Sequence, residues 1–189
     1  MKYDKSFLRN RSLLLRKKKY LTVRKFNYNL IFRLIRKHFH SKKITIGGYY
    51  PSNYEVNILK FLGNATKKNF SITLPVIKSS NKMSFQSWVF KEPLYVNQFG
   101  MLEPKNSKRK IIPDLIMVPL VAFDSHLNRI GYGKGYYDRS LRKISKIKKN
   151  AIFLGIAYSF QRCKKIPVNK YDFKLDYIFT EKGIINSTN

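Results

Sequence analysis

The run Leu115-Ile116-Met117-Val118 is short and entirely apolar. A strand with helices on both faces of its sheet needs apolar side chains at every position, whereas a strand with one solvated face alternates. We therefore predict that residues 115–118 form a strand buried on both faces of a parallel sheet. A second run of this type extends from Ala151 to Ala157 and predicts another such strand.

The rest of the chain alternates between helical and strand-like patterns. Helical spacing of apolar residues covers 8–15, 31–35, 56–62 and 137–144. We expect the third of these helices to end near Gly63. Strand-like patterns cover 44–48, 70–77, 83–89 and 177–179, and Val89 continues the apolar face of Met83 and Phe85. Strands that alternate with helices predict an α/β fold with a mostly parallel central sheet.

The composition predicts one folded domain over residues 1–189. Hydrophobic residues make up 43% of the chain and aromatic residues 15%, which excludes disorder driven by low hydrophobicity. A domain of ~100–200 residues is typical, so the length fits one domain. Cys163 is the one cysteine of the sequence. An internal disulfide framework and a Cys-rich zinc site are therefore excluded, and a reducing compartment fits.

No stretch of the sequence is expected to cross a membrane. The longest apolar run, residues 115–123, is well short of the ~20 residues that a membrane helix needs. The first forty residues also contain no long apolar block of the kind found in a secretory signal. Asp4 is the one acidic residue before Glu55, and a basic, acid-poor segment is also typical of mitochondrial import. Because the segment is not rich in serine, we favour a cytoplasmic protein.

The chain is strongly basic, with 39 Lys and Arg against 10 Asp and Glu and a net charge of +29. Such a charge favours affinity for nucleic acids or anionic surfaces. The bias is spread over the whole chain, however, so it also fits a compositional origin. The densest run, Arg16 to Lys19, is typical of a solvated helix face. We expect weak, salt-sensitive RNA affinity and no specific nucleic-acid partner.

The segment Arg129-Ile130-Gly131-Tyr132-Gly133-Lys134-Gly135-Tyr136-Tyr137-Asp138-Arg139 follows a predicted strand and begins a predicted helix. Glycine at every second position allows positive φ and leaves the backbone open to a ligand. Free N–H groups and a helix amino terminus both attract anions. Lys134 and Arg129 add cations, and Asp138 is a hard oxygen ligand of the kind that Mg²⁺ prefers. The segment predicts a site for a polyphosphate with Mg²⁺.

Two common phosphate-binding motifs do not match this segment. A Walker loop needs Gly at position 128 and Ser or Thr after the lysine, where Asn128 and Gly135 stand. A dinucleotide fingerprint that begins at Gly131 needs a glycine where Tyr136 stands. From spacing alone, a structural turn with packed aromatic rings and a solvent-facing Lys134 is an equally open interpretation.

Residues 131–139, preceded by Val118-Pro119 and Ala122-Phe123-Asp124, closely resemble the signature of the 5-formyltetrahydrofolate cyclo-ligase family. Further similarities run in the same order along nearly the whole chain. They comprise Lys5 with Leu8-Arg9, Tyr49-Tyr50-Pro51 with Glu55-Val56, Leu74-Pro75, Met83, Phe85, Phe99-Gly100, Glu103-Pro104, Gln161, Pro167, Asp172, Asp176 and Thr180-Glu181. One departure is Leu127, which stands where the family often has a glycine.

The resemblance implies a single three-layer α/β/α domain of the NagB/RpiA/CoA transferase-like type. It also implies an ATP- and Mg²⁺-dependent ligase that converts 5-formyltetrahydrofolate to 5,10-methenyltetrahydrofolate with release of ADP and phosphate. ATP would phosphorylate the formyl oxygen, since that oxygen is otherwise a poor leaving group. Phosphoryl transfer depends mainly on positioning and charge neutralisation. We expect a monomer with small-molecule substrates and no membrane partner.

The resemblance also assigns residues to roles. Lys134 and Arg129 would be catalytic, Asp138 and Asp172 would hold Mg²⁺, and Tyr50, Glu55, Tyr132 and Tyr136 would bind the folate. The ATP-binding set would be Lys5, Arg9, Arg129, Ile130, Gly131, Tyr132, Gly133, Lys134, Gly135, Tyr136 and Tyr137. Without the resemblance, a solvated basic helix is the preferred interpretation of Lys5 and Arg9. Met83 and Trp88 fit either a pterin pocket or core packing.

A second hypothesis is a basic nucleic-acid-binding protein that keeps this fold without the activity. Such a protein would need only the positive charges, whereas the enzyme also needs its few acids in defined places. Glu55, Asp138 and Asp172 stand at the positions that the resemblance requires, in a chain with only 10 acidic residues. Their placement favours catalysis.

Overall fold

Four α-helices surround the strands of this computed structural model, which describes residues 4–23, 25–40, 42–79, 82–105 and 110–186. The helices are α1 (Lys5–Lys19), α2 (Asn29–Phe39), α3 (Leu59–Lys67) and α4 (Tyr136–Ile147). Short 3₁₀ turns follow at Tyr20–Thr22 and Ser159–Gln161. All four predicted helices are therefore present. In the part of the chain that the structure describes, none is long and apolar enough to cross a membrane.

A seven-stranded sheet forms the centre of the molecule. Its strands, in chain order, are β1 (Thr45–Gly47), β2 (Ser71–Ser79), β3 (Lys82–Ser87), β6 (Leu115–Pro119), β9 (Ile152–Ile156), β10 (Tyr177–Thr180) and β11 (Gly183–Asn186). Their spatial order is β11-β10-β9-β6-β1-β2-β3. The five inner strands are parallel, and the two edge strands are antiparallel to their neighbours. The predicted α/β fold with a mostly parallel sheet is confirmed.

Helices cover both faces of this sheet. Leu115 and Met117 of β6 belong to one core cluster, in which α2 and α3 take part. Ile116 and Val118 belong to a second cluster on the other face, with residues of α4. Successive side chains of a strand point to opposite faces, so the apolar run is buried on both sides as predicted. The likeness to the NagB/RpiA/CoA transferase-like type stays a prediction.

Two predicted element boundaries are wrong. Helix α3 does not end near Gly63 but continues to Lys67. A Cβ at Gly63 would lie 2.9 Å from Cζ of Phe90, so this glycine serves close packing against an aromatic ring and does not end the helix. Strand β3 ends at Ser87, and Val89 is 65% exposed. The chain turns there, because the Glu92 N–H donates to the Val89 carbonyl at 2.9 Å.

Two small ribbons lie outside the main sheet. The strands β4 (Tyr95–Val96) and β5 (Leu102–Glu103) form one, and β7 (Ala122–Phe123) and β8 (Arg129–Ile130) form the other. The second ribbon leaves the carboxyl end of β6, and helix α1 packs against it. Leu8 of α1 is buried there in a cluster that includes Val121, Ala122 and Ile130. This packing places the amino-terminal helix at the carboxyl edge of the sheet.

The turn between β7 and β8 is organised by Asp124, which is 1% exposed. Its carboxylate accepts hydrogen bonds from the backbone N–H groups of His126, Asn128 and Ile166 at 3.0–3.1 Å. Leu127 has a φ of 64° in this turn, the left-handed region that favours glycine. Its side chain is 1% exposed and packs in the core. The free energy gained by burial of the leucine side chain therefore offsets the strain of its left-handed backbone.

We expect both Leu127→Ala and Leu127→Gly to destabilise the protein, since loss of a buried leucine costs about 2–5 kcal/mol. The glycine variant should be the more stable of the two. A Cβ in the left-handed region costs about 1–2 kcal/mol, which outweighs the backbone entropy of glycine, about 0.5–1 kcal/mol. Urea unfolding measures the free energies. The matched control is Leu141 in helix α4, where alanine should be more stable than glycine; the same order at Leu127 would contradict the argument.

Candidate active site

The glycine segment forms a loop between β8 and α4, beyond the carboxyl edge of the sheet. Gly133 has a φ of 96° and Gly135 a φ of 65°, both in the left-handed region. Gly135 is also the amino-terminal cap residue of α4. Lys134 is exposed between these glycines. The loop therefore presents backbone N–H groups, a helix amino terminus and a mobile ammonium group on one surface.

Helix α1 adds further cations to this loop. The Nε of Arg9 donates to the carbonyl of Gly131 at 2.8 Å. A Cβ at Gly133 would lie 3.4 Å from Cζ of Arg9, so the two groups are in close contact. From helix α4, Arg139 donates to the carbonyl of Lys134 at 2.9 Å. The surroundings of the loop are therefore strongly electropositive, as a polyphosphate site requires.

Arg129 lies below the loop, and its side chain is 3% exposed. Its Nη2 is 2.9 Å from Oδ1 of Asp138, and its Nη1 donates to the carbonyl of Phe173 at 2.8 Å. The Phe173 N–H in turn donates to the same Asp138 oxygen at 3.1 Å. Both terminal nitrogens of the guanidinium are therefore engaged. Arg129 thus contacts Asp138 directly and is placed to orient it, and the predicted contact of Arg129 with ATP stays a prediction.

Asp172 lies next to Phe173 in the chain and forms an ion pair with Lys5 from the start of α1. Its Oδ2 also accepts from the Asn169 N–H at 2.7 Å. Each side chain of the ion pair is 25% exposed. Segment 172–173 thus brings together Lys5 and Arg129, which are far apart in the sequence, and the carboxylates of Asp138 and Asp172.

The residues present fit a magnesium ion that is shared with a phosphate. Within the described parts of residues 4–186, no three His, Cys, Asp or Glu side chains are grouped in a way that could hold a metal alone. Mg²⁺ in nucleotide sites is usually held by one or two carboxylates together with phosphate oxygens and water. Asp138 and Asp172 match that donor set.

A second group of polar side chains centres on Glu55, which follows β1. The Tyr132 hydroxyl donates to Oε1 of Glu55 at 3.0 Å, and the Ser52 N–H donates to Oε2 at 2.9 Å. Tyr132 belongs to the glycine loop and is 40% exposed. Tyr50, 36% exposed, lies near Glu55 in the chain. The predicted folate-binding residues Glu55 and Tyr132 are therefore in direct contact.

Burial shifts the proton equilibria of this group. It raises the pKa of the Glu55 carboxyl, and the hydrogen bond from the Ser52 N–H and the positive charge of Arg16 counteract part of that rise. Burial also raises the pKa of the Tyr132 and Tyr137 hydroxyls above the ordinary tyrosine value. The Tyr137 hydroxyl is buried without a hydrogen-bond partner within the described residues. It therefore remains protonated at neutral pH.

Arg16 was missed as a site residue. The sequence interpretation placed it in a solvated run with Lys17, Lys18 and Lys19, which are indeed exposed. Arg16 itself is 1% exposed, and it bonds the Leu120 carbonyl and the Tyr132 hydroxyl. Helical periodicity was the available signal, because positions 5, 9 and 16 lie on one face of a helix.

Trp88 belongs to the core and not to a ligand pocket. It is 4% exposed, its Nε1 donates to the Glu92 carbonyl at 3.1 Å, and its ring meets Phe90 edge-on at 5.7 Å. Met83 is partly buried and packs against the second core cluster. Core packing therefore agrees with the burial of Trp88, and the pterin-pocket interpretation of Met83 stays a prediction.

The model of the 5-formyltetrahydrofolate cyclo-ligase family matches residues 1–181. The 5-formyltetrahydrofolate cyclo-ligase of Haemophilus influenzae is 32% identical over 133 residues, which are 67% of this chain and 70% of that protein. A probable 5-formyltetrahydrofolate cyclo-ligase of Schizosaccharomyces pombe is 33% identical over 147 residues, which are 70% of this chain and 72% of that one.

Solved structures agree with these relatives. The 5,10-methenyltetrahydrofolate synthetase of Aquifex aeolicus superposes with a TM-score of 0.74 at 27% identity and covers 98% of this chain and 93% of its own. The corresponding synthetase of Mycoplasma pneumoniae gives a TM-score of 0.64 at 25% identity, over 98% of this chain and 100% of its own. From its sequence and its fold together, the chain belongs to the 5-formyltetrahydrofolate cyclo-ligase family.

Proposed function

We propose that this protein catalyses the ATP-dependent cyclisation of 5-formyltetrahydrofolate. The formyl oxygen attacks the γ-phosphorus of ATP, and ADP leaves. N10 of the folate then attacks the formyl carbon and loses its proton to solvent, and the C–O bond breaks with release of phosphate. The product is 5,10-methenyltetrahydrofolate. The observation that carries the proposal is the convergence of Lys5, the glycine loop and the two aspartates at one edge of the sheet.

In this proposal the phosphates of ATP lie on the glycine loop. The backbone N–H groups of residues 131–137 and the amino terminus of α4 face the phosphate oxygens, and Lys134 neutralises charge on the transferring group. Arg9 supports the loop through the Gly131 carbonyl. Ile130 is 1% exposed and contributes through its backbone alone.

Asp138 and Asp172 would hold the magnesium ion that accompanies these phosphates. The ion would neutralise phosphate charge during transfer. Arg129 keeps Asp138 in place, and Lys5 shares its charge between Asp172 and the nucleotide. Direct contact between Arg129 and ATP stays a prediction.

The folate would bind beside the glycine loop, near Glu55, Tyr50, Tyr132 and Tyr136. A carboxylate can accept two hydrogen bonds from the donor edge of a pterin, and Glu55 supplies that group. The ring of Tyr136 lies 6.3 Å from that of Phe99 and 5.7 Å from the Arg139 guanidinium carbon. These aromatic and cationic groups suit a flat, anionic substrate such as a folate. Action as a monomer in the cytoplasm stays a prediction.

The direct test is an assay of the purified protein with 5-formyltetrahydrofolate, ATP and Mg²⁺, followed by absorbance of the methenyl product. We expect product that depends on both ATP and Mg²⁺. Absence of product at every salt concentration and pH, together with RNA binding, would support the nucleic-acid-binding alternative instead. The RNA affinity of an active enzyme should be weak and should fall steeply with salt.

Lys134→Ala is expected to lower turnover by at least about tenfold, because it removes a charge that stabilises the transferring phosphoryl group. Lys146→Ala is the matched control, since it removes an exposed lysine from the last turn of α4. Steady-state kinetics with ATP as the varied substrate measures the effect. Equal activity of the two variants would remove the role assigned to Lys134.

At low folate concentration, the rate is expected to fall as the pH is lowered. The fall should begin at a pH above the ordinary pKa range of a carboxyl group, about 4–4.5. Burial raises the pKa of Glu55, so its carboxylate is lost on acidification earlier than that of an exposed glutamate. Glu55→Gln should raise the KM for folate and remove this acid limb from the profile of kcat/KM. Glu92→Gln, at an exposed glutamate, is the control. If the acid limb persists in Glu55→Gln, a group other than Glu55 is responsible for it.

A further inference from the structure

Arg16 carries a positive charge into the interior of the molecule. It is 1% exposed, while the three lysines that follow it in α1 are exposed. A buried charge is costly unless hydrogen bonds and an opposite charge compensate it. The groups that contact the Arg16 guanidinium are the Leu120 carbonyl at 3.2 Å, the Tyr132 hydroxyl, and the Tyr132 ring with its centroid at 5.5 Å, while its Nε is buried without a hydrogen-bond partner within the described residues. All of them belong to the edge of the sheet that carries the candidate active site.

At the Leu120 end of this contact, a second buried side chain also bonds the backbone. The Leu120 carbonyl, directly after β6, also accepts from Nε2 of Gln161 at 2.9 Å, and the same nitrogen donates to the Val121 carbonyl at 2.8 Å. Gln161 is 3% exposed. The backbone that holds Arg16 is therefore held from a second side. Arg16 thus links this backbone to Tyr132 of the glycine loop.

At the Tyr132 end of the contact, the donor and acceptor of each hydrogen bond are fixed. A guanidinium can only donate hydrogen bonds, so the Tyr132 oxygen accepts from Arg16. The single hydroxyl proton is then left for Oε1 of Glu55, 3.0 Å away. Oε2 accepts from the Ser52 N–H. Both oxygens of Glu55 thus accept hydrogen bonds, an arrangement that favours the ionised carboxylate.

We propose that Arg16 is a positioning residue for folate recognition, which directs the Tyr132 hydroxyl toward Glu55 and holds the Glu55 carboxylate in its charged form. This inference rests on the proposed function, in which Glu55 accepts hydrogen bonds from the pterin. Arg16 acts through Tyr132 and Glu55 and touches no reacting atom. If Arg16 only joined α1 to Leu120, its replacement would not change the KM for folate more than the KM for ATP.

The test compares Arg16→Met and Arg16→Lys with Lys17→Met, an exposed neighbour in the same helix. In Arg16→Met we expect the KM for folate to rise by about tenfold or more and the acid limb of kcat/KM to move to higher pH, because the positive charge of Arg16 lowers the pKa of Glu55. The KM for ATP should change by less than about twofold. Arg16→Lys restores the charge, so it should return the acid limb to the wild-type pH. Lys17→Met should behave as wild type.

An unchanged acid limb in a folded Arg16→Met, or an equal rise of both KM values, would overturn the inference. Circular dichroism and urea unfolding establish whether each variant is folded. If Arg16→Met does not fold, Tyr132→Phe cuts the same link at a residue that is 40% exposed. It should raise the KM for folate and move the acid limb upward, and a wild-type profile would overturn the inference. A wild-type protein without activity would instead refute the proposed function itself.

Discussion

The candidate site depends on the attachment of helix α1 to the carboxyl edge of the sheet. Leu8 is buried against the β7–β8 ribbon, and Arg16 bonds the Leu120 carbonyl at the end of β6. Between these two anchors, Arg9 contacts the glycine loop. Burial of the Leu8 and Arg16 side chains thus brings the start of the chain to residues more than a hundred positions away. Without this attachment, the glycine loop would lack its amino-terminal cations.

The distribution of acidic residues explains how so basic a chain forms a defined site. Only 10 acids oppose 39 basic residues, and three of those acids belong to the candidate active site. Asp138 is paired with Arg129, Asp172 with Lys5, and Glu55 is linked to Arg16 through Tyr132. Each carboxylate is thereby oriented by a cation from another element. Two further aspartates stabilise the opposite edge of the sheet. The carboxylate of Asp114 accepts from the Thr45 N–H at the start of β1, and that of Asp176 accepts from the Phe153 N–H near the start of β9.

Much of the fold followed from local patterns. The run 115–118 identified a strand buried on both faces, since side chains on both sides of a parallel sheet must be apolar. Gly63 was misjudged as a helix end, because a glycine required by a neighbouring ring looks the same in a sequence as one required by a turn. The departure at Leu127 was visible in the sequence. Only the packing around Leu127 showed that burial of its side chain offsets the strain of its φ of 64°.

The sequence by itself determined the alternation of strands and helices, the glycine loop before α4 and the residues that resemble a cyclo-ligase, because these depend on periodicity and on short motifs. The tertiary structure decided which charges meet. Arg16 and Lys17 are neighbours in the chain, yet one is buried against Tyr132 and the other is exposed. Whether a charge is solvated or compensated depends on the groups that surround it in space. Those groups come from elements that no local pattern connects.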